Sequence, residues 1–179
     1  MNDPVELFMQ MEPKAIQSVR FAVRGGFVRK FQPQRNVKYK GDIKMDALTQ
    51  VPDDFEAFTG PIKLEVIYMY APTTSMSKKK KAYLAEGNVI MKPTRPDLQD
   101  NLSKGLCDAL TGVLWKDDSQ IVWVEGFKVY SHKGPGIYIK VTPLEEQMNN
   151  EQLPEWVGDF LKPRKEQVNE NSNKGDRSI

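Results

Sequence analysis

RPDLQDNLSKGLCDALTGVLWKDDSQIV, residues 95–122, holds the clearest helical pattern of the chain and five of its aspartates. Four apolar residues recur at the spacing of one helix face: Leu102, Leu106, Ala109 and Val113. This spacing predicts a helix over about Asp97–Leu114 that packs one face into a core. A turn and the first residues of a strand follow it.

The polar side of this predicted helix gathers acidic residues around one lysine. The residues concerned are Asp97, Asp100, Lys104 and Asp108, with Asp117 and Asp118 in the turn beyond the helix. Neighbouring carboxylates repel one another, and a divalent cation such as Mg²⁺ is their usual partner. A lysine beside them could stabilise charge that develops on a phosphate. The pattern therefore indicates magnesium chemistry on a phosphate ester.

The same residues also have structural explanations. Asp97 fits a helix N-cap, and Asp100 with Lys104 fits an ordinary ion pair four residues apart. Asp117 and Asp118 fit the chemistry of a turn. Taken one at a time, each residue is better explained by structure than by catalysis, so the residues alone leave both interpretations open.

Composition narrows the classes of function. The chain of 179 residues suits one domain, or one domain and a tail. A single histidine, His132, excludes zinc sites that need two, and a single cysteine, Cys107, excludes an internal disulfide. No apolar run approaches the length of a membrane span, and the first residues lack a signal-peptide layout. We therefore expect a cytoplasmic protein.

Charge is unevenly distributed. Residues 16–143 hold 20 Lys and Arg against 13 Asp and Glu, whereas both ends are acidic. The candidate contacts to nucleic acid are Arg29, Lys30, Arg35, Lys78, Lys79, Lys80, Lys81 and Arg95. The basic and aromatic stretch 26–44 fits a DNA-binding surface and a solvated loop or edge strand about equally well. The run at 78–81 fits a mobile loop, or a flap that contacts phosphates.

Other segments predict further elements. PIKLEVIYMYAP, with apolar residues on both faces, predicts a strand near the centre of a sheet, and IQSVRFAVRG predicts another strand. QIVWVEGFKVYS and GIYIKVTPL predict two strands joined as a hairpin. Asp3, Pro4 and Glu6 fit the start of a short helix. Composition changes after residue 143, so we expect a tail at 144–179 with a short amphipathic helix over about 153–161 and a disordered end.

The acidic segment resembles the RusA-type Holliday junction resolvases, endonucleases that act on four-way DNA junctions. The motif residues that match are Asp97, Asp100, Asn101, Leu102, Lys104, Asp108, Ala109, Leu110, Trp115, Asp117, Asp118, Gln120 and Ile121. The resemblance covers roughly residues 60–141. It implies a compact α+β nuclease domain at 1–143, with a mixed β-sheet packed by helices, that forms a homodimer.

The resemblance also implies a reaction and a set of residues. The reaction is Mg²⁺-dependent cleavage of paired strands in branched DNA, with Mn²⁺ as a substitute, in a bacterial or phage setting. Asp97, Asp100 and Asp118 take the positions of the family's metal ligands, with Asp117 as a neighbouring candidate. Lys104 takes the position of its essential lysine.

One departure from the family pattern concerns metal capture. The family places its first two aspartates as D-x-D directly before the asparagine, whereas this chain reads DLQDN. The extra residue leaves open an alternative, a DNA-binding protein of the same fold with weakened catalysis. A further alternative is a protein-interaction domain anchored by Trp156 and Phe160.

Overall fold

The computed structural model describes residues 3–16, 20–24, 27–31 and 33–161, with residues 20–24 and 28–31 described as backbone only. The described chain falls into two units, one up to Glu145 and one from Glu146. Each unit has its own secondary structure. Within the described residues, no helix combines the length and the apolar character needed to cross a bilayer.

The first unit is built on a five-stranded mixed sheet. Its strands, in spatial order, are β1 (Val5–Met9), β7 (Gly136–Pro143), β4 (Ile62–Tyr70), β6 (Ile121–Tyr130) and β5 (Ile90–Met91). β4 runs parallel to β6, and the other pairs are antiparallel. A separate two-stranded ribbon consists of β2 (Arg20–Arg24) and β3 (Phe27–Phe31). This confirms the predicted α+β fold with a mixed sheet.

The prediction of a central strand is confirmed. β4 lies in the middle of the sheet, and alternate residues from Ile62 to Tyr70 are buried on one face. Two helices, α1 (Gln34–Gln50) and α3 (Lys104–Leu110), share a core with this face. The apolar stripe predicted from sequence is also buried, with Leu102 and Leu106 almost fully enclosed.

Several local predictions are wrong. The N-terminal helix is replaced by β1, where Leu7 and Met9 enter the core and pair with β7. β6 and β7 form no hairpin, because β4 lies between them and pairs with both. The basic stretch after residue 33 is a helix, α1, which buries Tyr39, Ile43 and Ala47.

The lysine run also has a regular structure. Lys78–Ala85 form a helix, α2, whose N-cap Ser77 accepts a hydrogen bond from the backbone N–H of Lys80. All four lysines are exposed on it. The side chains of the run are therefore presented by a helix rather than by an irregular loop.

The second unit contains a short 3₁₀ turn and one helix. Asn149 caps the turn Asn150–Gln152 by accepting hydrogen bonds from two backbone N–H groups. The helix α4, Glu155–Leu161, follows. Trp156 and Phe160 are largely exposed on it. The predicted disordered end, residues 162–179, lies outside the described residues.

Candidate active site

The turn before α3 is wider than an α-helix. Leu98–Ser103 form a π-helix, in which the backbone N–H of Leu102 donates to the carbonyl of Asp97 at 3.2 Å, five residues earlier. The N–H of Lys104 donates to the carbonyl of Gln99 in the same way. A π-turn accommodates one residue more than an α-turn, and such turns are frequent at functional sites. The widened turn therefore has room for the extra residue of DLQDN.

Asp97 lies just outside the π-helix in extended conformation, with φ −69° and ψ 143°. Its side chain makes no capping hydrogen bond. Instead, the side-chain amide of Asn101 donates to Asp97 Oδ2 at 3.0 Å. Asp97 therefore occupies the N-cap position, as its structural explanation predicted, but its carboxylate is oriented by Asn101 and not by a backbone N–H.

The side chains of Asp100 and Lys104 are both exposed. Neither forms a hydrogen bond through its side chain or an ion pair with any residue in the described ranges. The ordinary explanation of this pair, a helix ion pair, is therefore not what the structure contains. Both groups remain available to a ligand.

The two aspartates beyond α3 have different environments. Asp117 caps the 3₁₀ turn Asp118–Gln120 by accepting a 2.9 Å hydrogen bond from the N–H of Ser119. Hydrogen bonding to Ser119 lowers the pKa of the Asp117 carboxyl. The side chain of Asp118 is exposed and has no hydrogen-bond partner among the residues described. Asp117 is thus occupied by the turn, whereas Asp118 is free to bind.

Gln120 has a role that the sequence did not reveal. Its side-chain amide donates to the carbonyls of Phe58 and Gly60 at 2.9 and 2.8 Å, and its oxygen accepts from the N–H groups of Lys116 and Asp117. One side chain therefore fixes the turn that carries Asp118 to the segment before β4. Its place in the family motif was the only signal for it.

The thiol of Cys107, in α3, is affected by the charge of Asp118. Burial, followed by the negative charges of Asp118 and Asp108, raises the pKa of the Cys107 thiol to about 11. The carboxylate of Asp118 therefore acts on the thiol of Cys107, in the middle of α3. Asp108 itself pairs with Lys40 of α1 at 3.6 Å.

The fit of this set to a divalent cation is incomplete. Carboxylate oxygens are the ligands that Mg²⁺ prefers. However, within the described part of the chain, no three His, Cys, Asp or Glu side chains converge closely enough to hold a metal ion. Asp97 and Asp100 lie within one turn of each other, and Asp118 does not complete a three-ligand cluster with them. The donor chemistry fits the cation, but the arrangement does not.

A cleft of about 830 Å³ opens beside Asp97. It brings together two residues predicted from the sequence, Asp97 and Arg95, with others that were not predicted. The residues not predicted include Glu12, Tyr70, Lys92, Asn101 and Tyr130. A cleft with cationic, aromatic and carboxylate groups suits a strand of nucleic acid.

The remaining predicted DNA contacts are dispersed over the surface. Arg35 is exposed in the first turn of α1, and the four lysines at 78–81 are exposed on α2. Arg29 and Lys30 belong to β3, and their side chains lie outside the described residues. At the start of the same strand, Phe27 is 74% exposed. Among the predicted contacts whose side chains the structure describes, only Arg95 lies in the cleft with Asp97.

Comparison with known proteins identifies the family. Residues 10–142 match the family described as Endodeoxyribonuclease RusA. The chain belongs to this family. It is therefore a nuclease that acts on phosphodiester bonds of DNA, which confirms the resemblance inferred from the motif residues. The match to the RusA family begins well before the part recognised from the sequence, because it includes β2, β3 and α1.

Two relatives support membership of the RusA family. The uncharacterized protein YqaN of Bacillus subtilis (strain 168) is 32% identical over 132 residues, which is 73% of this chain and 91% of that protein. The crossover junction endodeoxyribonuclease rusA of Lactococcus phage r1t is 42% identical over 103 residues, 57% of this chain and 70% of that protein.

Proposed function

We propose that this nuclease cuts four-way (Holliday) DNA junctions, with Mg²⁺ as its cofactor and Mn²⁺ as a substitute. The observation that carries the proposal is that Asp97 and Arg95 line the same cleft in a chain of the RusA family. Asp100 and Lys104, whose side chains have no partner within the described ranges, follow them in the sequence. The phage relative is named as a crossover junction enzyme, which supports the choice of substrate. Relatives from a bacterium and a phage also favour action in the bacterial cytoplasm.

Basic residues would bind the backbone of the junction. Arg95 lies in the cleft, and the exposed lysines of α2 and Arg35 of α1 would contact phosphates farther away. Such contacts release counterions and give strong dependence of affinity on salt, without reading the base sequence. We assign Arg29 and Lys30 to the same surface from the sequence.

Asp97, Asp100 and Asp118 are the proposed ligands of the cation. A bound Mg²⁺ would supply an activated water and neutralise charge on the phosphate. Lys104, exposed one turn after Asp100, would stabilise negative charge on the transferring phosphate. Because these three carboxylates form no three-ligand cluster in the described part of the chain, the proposal requires them to approach one another in the complex with DNA.

A homodimer would explain cleavage of paired strands. A four-way junction has two equivalent strands on opposite sides of its branch point, so a two-fold dimer presents one site to each. We propose this assembly by analogy with the family.

The test is cleavage of a synthetic four-way junction in Mg²⁺ and in Mn²⁺. We expect the protein to nick the junction, and Asp100→Asn and Asp118→Asn each to lower the rate by on the order of 10²-fold or more. The matched control is Asp53→Asn, an exposed aspartate in the loop before β4, which should cut normally.

Two outcomes would contradict the proposal. Full activity in both variants would remove these aspartates from catalysis. Tight, salt-dependent binding of the junction without cutting in either metal would instead support a binding protein with weakened catalysis. The absence of a three-ligand cluster among the described residues is the observation that favours this alternative.

A further inference from the structure

The turn that leads into Asp97 is held by two lysine side chains. Lys128 Nζ donates to the carbonyls of Thr94 and Pro96 at 2.7 and 2.6 Å. Lys92 Nζ donates to the carbonyl of Arg95 at 2.6 Å. Three consecutive carbonyl groups, Thr94 to Pro96, therefore accept hydrogen bonds from ammonium groups.

Both lysines are anchored to the sheet. Lys128 belongs to β6, and the N–H of Lys92 donates to the carbonyl of Lys128 at 2.8 Å, which extends the pairing of β5 with β6. Lys92 Nζ also lies 4.9 Å from the centre of the Tyr70 ring and 5.6 Å from that of Tyr130. Cation–π contacts of this kind further restrict the amine. The two lysines thus attach the Thr94–Pro96 turn to the sheet where β5 pairs with β6.

The ammonium groups of Lys92 and Lys128 have unusual hydrogen-bond partners. Lysines that are half-buried commonly pair with a carboxylate, but neither Lys92 nor Lys128 forms an ion pair within the part of the chain that the structure describes. Their donors are directed at backbone carbonyls instead, and Lys92 Nζ also donates to the hydroxyl of Thr94 at 2.6 Å. Hydrogen bonds from a charged donor are short and about twice as strong as neutral ones, so they are suited to fixing a turn.

The residue fixed at the end of this turn is Asp97. Asp97 follows Pro96 in the chain, and its carboxylate accepts a hydrogen bond from the side-chain amide of Asn101. A carboxylate at a reactive centre must keep its place within a fraction of an ångström, and such precision requires support from surrounding groups. The lysines give that support to the backbone, as Asn101 does to the side chain.

We propose that Lys92 and Lys128 are positioning residues, which hold the Thr94–Pro96 turn so that Asp97 faces the cleft. The proposal rests on the role of Asp97 given under the proposed function. It assigns these lysines to the geometry of the site and not to the binding of DNA, although Lys92 lines the same cleft.

The test uses Lys128→Met, which keeps the aliphatic stem and removes the charge and the donors. We expect faster hydrogen exchange in peptides that cover residues 94–98. At saturating junction, kcat should fall by on the order of 10²-fold with KM nearly unchanged, as for a misplaced reactive group. Lys128→Arg, which retains donors, should recover part of the rate. Lys133→Met, an exposed lysine between β6 and β7, is the matched control and should behave as wild type.

The outcomes separate this proposal from the proposed function. Unchanged exchange in Lys128→Met would overturn the positioning role, as would a raised KM at constant kcat, which would mark a direct DNA contact. If the wild-type protein cut no junction, the proposed function would fail, while hydrogen exchange would still decide the positioning role. Should Lys128→Met not fold, Lys92→Met is judged by the same measurements.

Discussion

At the scale of single residues, the structure separates aspartates that look alike in the sequence. Asp117 is committed to a turn through Ser119, and Asp97 is oriented by Asn101. The side chains of Asp100 and Asp118 are exposed and have no hydrogen-bond partner within the described ranges. The family motif indicated the residues, but only the local hydrogen bonds distinguish a structural aspartate from an available one.

Cys107 provides a probe of where Asp118 lies. The pKa of its thiol is raised to about 11 by burial and by the charges of Asp118 and Asp108. Since only the thiolate reacts, alkylation by iodoacetamide should be slow at pH 8 and accelerate as the pH rises towards 11. Asp118→Asn removes a negative charge that opposes ionisation, so it should lower the pKa and speed alkylation at pH 8 by roughly a factor of two or more.

Asp53→Asn serves as the control, because Asp53 is not among the groups that raise the thiol pKa. Equal alkylation rates in wild type and Asp118→Asn would show that Asp118 lies away from α3. Rates should be measured under conditions in which circular dichroism shows each variant to be folded.

At the scale of helices and strands, the sequence predicted elements that have a regular apolar pattern, but it did not predict the pairing of strands that lie far apart in the chain. β4 was predicted because apolar residues alternate over its whole length. α1 was missed because its buried residues, Tyr39, Ile43 and Ala47, stand among lysines and other polar groups. The strands β6 and β7 were mistaken for a hairpin because their pairing with β4 depends on residues more than fifty positions away. The pattern within one segment cannot show which distant strand that segment pairs with.

The π-helix makes a prediction about the spacing of DLQDN. Removing Gln99 would restore D-x-D, and the turn Leu98–Ser103 could return to α-helical hydrogen bonding without moving α3. We expect a folded protein whose free energy of unfolding changes by no more than about 1 kcal/mol. Urea unfolding followed by tryptophan fluorescence measures this quantity.

The matched control is removal of Asp108, an exposed residue inside α3. This deletion rotates the rest of the helix by about 100° and takes Ala109 and Leu110 out of the core, so it should be severely destabilising. If removing Gln99 were as destabilising as removing Asp108, the widened turn would not be the place that absorbs the extra residue.

At the scale of the whole molecule, a basic body carries a cleft that is lined by Asp97 and Glu12. The sequence predicted the charge, the family and the acidic motif, because these reside in contiguous residues. It could not predict the cleft, since Glu12, Tyr70, Lys92 and Tyr130 come from distant segments that meet only in the folded chain. For the same reason, the lysines that hold the turn before Asp97 were not recognised.

The most direct test of the account is single-turnover cleavage of a four-way junction by wild type and Asp97→Asn, with a linear duplex of the same sequence as the comparison. We predict that wild type cuts the junction in Mg²⁺ and leaves the duplex nearly intact, and that Asp97→Asn is slower by on the order of 10²-fold or more. Equal cutting of both substrates, or full activity in Asp97→Asn, would contradict a junction nuclease centred on this cleft.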